Sequence, residues 1–167
     1  LTGECNYTDD INVNGQAYVY FLRSDIAHGT LDSVDTSAAE GMEGVVRIFT
    51  GADFEAVGSV PCGWQITDKH GEPMQEPRHP VLAHGKVRHV GEPIAAVVAE
   101  TLEQARDAAE AIEVEISELP AVVNMKDAVK ADAPKVHDDL TSNLCYDWGF
   151  VEENKGAVDQ AFKEAAH

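Results

Sequence analysis

Basic residues are scarce. The 167 residues include 12 Lys and Arg against 30 Asp and Glu, a net charge of −18. Such a surface repels phosphate backbones and anionic headgroups, so nucleic-acid binding and membrane docking are disfavoured. Its plainest consequence is solubility. Long apolar runs are missing too. The longest, Ile94-Ala95-Ala96-Val97-Val98-Ala99, falls far short of the ~20 residues that span a bilayer and suits a buried strand. Cysteine is sparse: Cys5, Cys62 and Cys145 are odd in number and widely spaced. Without a Cys-x-x-Cys pair, no disulfide scaffold, zinc ribbon or iron–sulfur cluster is expected from this chain alone. Three reduced thiols point to a cytoplasmic protein. Residues 1–20 have neither the basic start nor the apolar centre of a secretory leader. The chain starts at Leu1, not Met, as a piece of a longer polypeptide would.

What is present suits a folded chain. Hydrophobic residues at 44% and charged residues at 25% give a globular balance, enough for one domain with an appendage. Ala17 to Leu22 is rich in β-formers and predicts a buried strand, followed by an extended stretch at 28–34. Ser37 to Glu40 predicts one helical turn. Val45 to Thr50 predicts a strand, ended by a turn at Gly51-Ala52-Asp53. Residues 55–80 hold Gly58, Pro61, Gly63, Gly71, Pro73, Pro77 and Pro80, a long loop of the kind that faces a partner or ligand. Lys86 to Val90 alternates like a strand, and Gly91-Glu92-Pro93 turns the chain into the run at 94–99.

Thr101 and Gln104 form a capping box at the start of the principal helix. Leu102, Ala105, Ala108, Ala109 and Ile112 mark its apolar face, small enough to sit close on a sheet. The period then changes to two: Ile112, Val114 and Ile116 alternate with Glu113, Glu115 and Ser117, a half-exposed strand stopped at Leu119-Pro120. A short helix is expected at 125–131 and a polar linker at 132–144. Val158, Ala161, Phe162 and Ala165 stand at helical spacing. Strands and helices do not alternate regularly, so the expected class is α+β with a mixed sheet and one principal amphipathic helix.

Several groups invite a chemical reading. Ser24, Asp25 and His28 are the residue types of a hydrolytic triad, but three neighbours within five residues rarely align, and no Gly-x-Ser-x-Gly elbow supports them. His79, His84 and His89 are spaced by five, which matches neither a helix nor a strand face, and His70 stands apart. Met125-Lys126 is similar to the lysine of biotin carriers, but Asp127 follows where those have a second methionine. A solvated helix lysine is the plainer reading, although a free-standing carrier or interaction module is the rival class. There is no Gly-x-Gly-x-x-Gly and no Walker lysine loop. The acidic stretch from Glu100 to Glu118 lacks the glycine-centred oxygen cluster of a calcium loop. No catalytic, cofactor-binding or metal-ligating residue is assigned.

Six stretches in series carry a resemblance. They are Thr2-Gly3-Glu4-Cys5-Asn6-Tyr7-Thr8-Asp9-Asp10, Arg23-Ser24-Asp25-Ile26-Ala27-His28, Ser33-Val34-Asp35, residues 44–53, residues 79–100 with Val90-Gly91-Glu92-Pro93-Ile94-Ala95, and residues 105–123 ending Leu119-Pro120-Ala121-Val122-Val123. In this order they resemble the N-terminal α/β-hammerhead domain of molybdenum hydroxylase large subunits, the family of xanthine dehydrogenase, aldehyde oxidoreductase and aerobic carbon monoxide dehydrogenase. Asp25-Ile26 and Gly29 depart from its usual residues. The tail, Tyr146-Asp147-Trp148 onward, resembles the start of the next segment and leans towards the carbon monoxide dehydrogenase type. The resemblance implies a hammerhead domain over 1–131, then a linker and the truncated start of a molybdopterin-binding domain over 132–167. It implies a fragment inactive alone, in a subunit that binds molybdopterin and works with [2Fe–2S] and FAD modules. It implies no catalytic residue within this chain.

Overall fold

The computed structural model describes residues 3–149 and 154–165. These fall into two compact units, one of residues 1–60 and 78–121, the other of 61–77 and 122–167.

The first unit has two three-stranded sheets. Strands β1 (Tyr18–Arg23), β3 (Val45–Thr50) and β5 (Pro93–Ala99) form one, in the order β1-β5-β3. Strands β2 (Gly29–Asp35), β4 (Lys86–Val87) and β6 (Glu113–Glu118) form the other, in the order β4-β2-β6. Helices α1 (Ser37–Glu40) and α2 (Leu102–Glu110) complete it. The α+β class expected from the sequence is observed, but its sheets are antiparallel rather than mixed. Every strand pair among the described residues is antiparallel. The reason lies in β5, whose two edges are taken by β1 and β3. When α2 returns the chain as β6, no edge of β5 is free for a parallel partner, and β6 pairs with β2 instead.

Helix α2 forms as its sequence predicts. Gln104 N donates to Thr101 Oγ1 at 3.2 Å, and Thr101 N donates to Gln104 Oε1 at 3.1 Å. Its Ala105, Ala108 and Ala109 are buried against Ala95, Val97 and Ala99 of β5. Tyr20, Leu22, Val45 and Ile48 from the flanking strands close this core. Small side chains on both partners bring the helix axis close to the sheet. A second cluster joins Ala83, Val87 and Ile94 to Ile26, Leu31, Val34, Val114 and Ile116.

Local corrections have local causes. The strand expected over 86–90 stops at Val87, because the Glu92 carboxylate accepts the N–H of Arg88 and folds 88–92 into a turn. The turn expected at Gly51 is longer, a 3-10 run from Gly51 to Val57. It is started by Asp53 Oδ2, which accepts from Thr50 N at 2.7 Å.

In the second unit, α3 spans Met125–Ala128, shorter than expected, and α4 spans Lys155–Glu164 with its described side chains exposed. The stretch expected as a linker is folded on itself by one side chain. Asn143 Oδ1 accepts from Val136 N at 2.9 Å, and Asn143 Nδ2 donates to Ala128 O at 3.0 Å and Pro134 O at 2.9 Å.

Candidate functional site

The densest buried polar group lies where β1 ends. Ser24, His28 and Glu92 are each at least nine-tenths buried. Ser24 N donates to Glu92 O at 2.9 Å, and Gly91 N donates to Ser24 O at 2.7 Å. Arg23 Nη1 donates to Gly91 O at 2.8 Å. The turn at 88–92 is thereby fastened to the end of β1. His89 Nδ1 lies 3.7 Å from Glu92 Oε2.

This geometry disposes of the triad. The Ser24 hydroxyl donates to Ile26 O at 2.8 Å and accepts from Ile26 N at 3.0 Å, a closed local turn. Asp25 is exposed. His28 Nδ1 is 2.8 Å from Pro120 O. A carbonyl oxygen can only accept, so Nδ1 carries the proton. No hydrogen bond joins the three side chains, so Ser24 has no base. With Leu119 N donating to His28 O at 2.9 Å, the histidine instead holds the chain where β6 ends. Its Nε2 is buried without a partner, as is Arg88 Nε.

The other candidates are dispersed. His70, His79, His84 and His89 are exposed. No three His, Cys, Asp or Glu side chains among the described residues are placed to hold a metal ion. Lys126 lies in the first turn of α3, exposed, its N–H donating to Asn124 Oδ1 at 2.9 Å. Cys5, Cys62 and Cys145 are exposed free thiols. Among the described residues, no helix is long and apolar enough to cross a membrane. No chemical step is therefore derived through a metal at these residues.

Two features went unrecognised in the sequence: the buried cap made by Glu92 and the hub made by Asn143. The Gly91-Glu92-Pro93 turn was visible, but the carboxylate's burial depends on distant strands.

In the second unit, Asp68 organises the turn at 68–72. Desolvation opposes its ionisation. The N–H groups of His70, at 2.7 Å, and Glu72, at 3.0 Å, outweigh it, aided by the His70 charge and the N–H of Gly71, and hold the carboxyl below its ordinary value of 3.8. A folded pKa below the unfolded one stabilises above the unfolded value, and the effect is lost as pH falls through the folded value. The turn is therefore expected to open as the pH falls below the ordinary carboxylate range. Amide NMR shifts of His70 and Glu72 followed against pH check this. An Asp68→Asn chain should lose the transition, and an unchanged profile in that variant would refute the assignment.

Residues 2–120 match the family described as aldehyde oxidase and xanthine dehydrogenase, a/b hammerhead domain. The chain is similar to the nicotine 6-hydroxylase large subunit of Paenarthrobacter nicotinovorans, 34% identical over 100% of this chain and 20% of that one. It is similar to a probable xanthine dehydrogenase polypeptide of Bacillus subtilis, 36% identical over 98% of this chain and 21% of that one. Among solved structures, quinoline 2-oxidoreductase from Pseudomonas putida 86 superposes with a TM-score of 0.73 at 34% identity, covering 81% of this chain and 17% of that one. A Cu,Mo carbon monoxide dehydrogenase in its carbon monoxide-reduced state superposes with a TM-score of 0.68 at 28% identity, covering 97% and 20%. The chain spans about a fifth of the length of the curated relatives it matches.

Proposed function

Because this chain belongs to the aldehyde oxidase and xanthine dehydrogenase a/b hammerhead domain family, we propose that it is the N-terminal structural domain of the large subunit of a molybdopterin-dependent oxidoreductase. The match over residues 2–120 carries the reading. In it, the chain positions a cofactor-binding domain and is inactive alone. The hammerhead domain runs to about residue 131, and 132–167 connect to the cofactor-binding domain. Molybdopterin is held by the rest of the subunit, and [2Fe–2S] and FAD modules pass on the electrons. Catalytic and cofactor-binding residues lie outside this chain, in keeping with a buried polar group whose serine hydroxyl and histidine Nδ1 are bonded to backbone.

Relatives bearing nicotine, xanthine and carbon monoxide in their names match comparably, so the reading stays at the class of the reaction rather than one substrate. The carbon monoxide dehydrogenase type is one member of that class. A cytoplasmic location accords with the three free thiols.

The test is to purify the native polypeptide that contains these residues with its partner subunits, and to measure its mass and molybdenum content. A polypeptide several times longer than this chain, with stoichiometric molybdenum, is expected. A native polypeptide ending near His167, or a long one without molybdenum, would overturn the proposal.

A further inference from the structure

The first sheet has two faces, and α2 covers only one. The register fixes which side chains share the other. Val19, Val98 and Arg47 lie in one row across the three strands, and Phe21, Ala96 and Phe49 in the next. Val19 is 48% exposed and Phe21 43% exposed, Val98 and Phe49 are half-buried, and Ala96 lies buried beneath the two rings at 8%. Phe54 extends the patch, its ring 5.7 Å from that of Phe49. Sheets are ordinarily covered by a second layer, and apolar patches of this kind mark interaction surfaces.

The charge on this face is opposite to that of the chain. The Arg23 guanidinium lies over Phe21 at 5.6 Å, and that of Arg47 over Phe49 at 4.9 Å. None of the strand residues in the two rows is acidic, although the chain has 30 acidic residues against 12 basic ones. Arg47 has only a loose ion pair, with Asp53 at 3.9 Å. Any layer laid on this face draws two guanidinium groups out of water, which is costly unless carboxylates meet them. Two copies meeting through the same face would oppose arginine to arginine, so that occupant is disfavoured.

We infer that the Phe21–Ala96–Phe49 face is the docking surface for the remainder of the same large subunit, through an apolar segment that carries carboxylates opposite Arg23 and Arg47. The inference rests on the proposed function. Its occupant follows from the length of the relatives, of which the matched stretch is 20% to 21%.

Hydroxyl-radical footprinting of the complete large subunit, purified without its partner subunits, tests it. Phe21 and Phe49 are expected to be oxidised roughly 10-fold more slowly than in the urea-unfolded subunit, as for rings in a dry interface core. Arg47→Glu is expected to lower the yield of molybdenum-loaded subunit roughly 10-fold, through repulsion of the opposing carboxylates. Arg106→Glu, on the exposed side of α2, serves as the control and should leave the yield unchanged. A long, molybdenum-bearing subunit whose Phe21 and Phe49 react as fast as when unfolded sinks the inference alone. Protection that arises only when a partner subunit is added also sinks it, because the occupant is then another chain. A native polypeptide ending near His167 sinks the proposed function and removes the occupant with it.

Discussion

Ile94→Ala is expected to destabilise the chain by about 3 kcal/mol, within the range for emptying a well-packed aliphatic site. Ile94 is 2% exposed and sits where β5 enters the second core cluster. Its neighbours come from both sides of it in the sequence: Ala83 and Val87 before it, and Leu31, Val34, Val114 and Ile116 from β2 and β6. These side chains are fixed to a hydrogen-bonded ladder and relax little into the cavity. The loss therefore includes the cavity as well as the missing methyl and methylene groups. The measurement is the urea unfolding midpoint, with the slope of the transition checked for constancy. Leu102→Ala, at a side chain 47% exposed, should change the midpoint far less. Equal shifts for the two variants would show that the second cluster is not a packed core.

Gly51→Val is expected to cost about 3 kcal/mol for a different reason, overpacking against backbone. A Cβ at residue 51 would stand 2.3 Å from Ala83 O, 2.9 Å from Ala83 C and 2.9 Å from His84 Cβ. The obstacle is a carbonyl, which cannot swing aside as a side chain would. Ala83 N donates to Pro93 O at 2.8 Å, so moving the carbonyl also pulls on β5. The natural comparison is Gly41→Ala. Its backbone has a φ of −91°, and no atom lies within 4 Å of the added carbon. Thermal unfolding of both variants beside the parent chain decides the matter. A Gly51→Val chain that melts with the Gly41→Ala chain would mean that the 82–84 segment does not approach residue 51.

Much of the local structure was legible in the sequence because its causes are local. The capping box at Thr101, the alanine face of α2, the alternation along β6 and the single turn at Ser37 each follow from residues within a few positions of one another. The apolar run at 94–99 announced a buried strand, and β5 is the central strand of its sheet. The limits of elements were less visible. Lys86 to Val90 alternates like a strand, but Glu92 reaches back to the Arg88 amide and ends β4 after two residues. Asn143 was one polar residue among many in a stretch that looked like a linker, and its three hydrogen bonds exist only once the chain folds back.

For the site, the residue types at Ser24, Asp25 and His28 were legible, but not that Ser24 and His28 turn to backbone partners. Family membership was also written in the order of the motifs, since each stretch serves its own turn or strand. The sequence by itself determined the class, the principal helix, the buried strand β5 and the acidic charge of the chain. Tertiary structure alone decided that there are two antiparallel sheets, because strand pairing depends on which edges of β5 are already occupied. It alone decided that Ser24 and His28 bind backbone rather than each other. It alone gathered Val19, Phe21, Phe49 and Val98 with two arginines on the face opposite α2, because cross-strand register brings together residues up to about eighty positions apart.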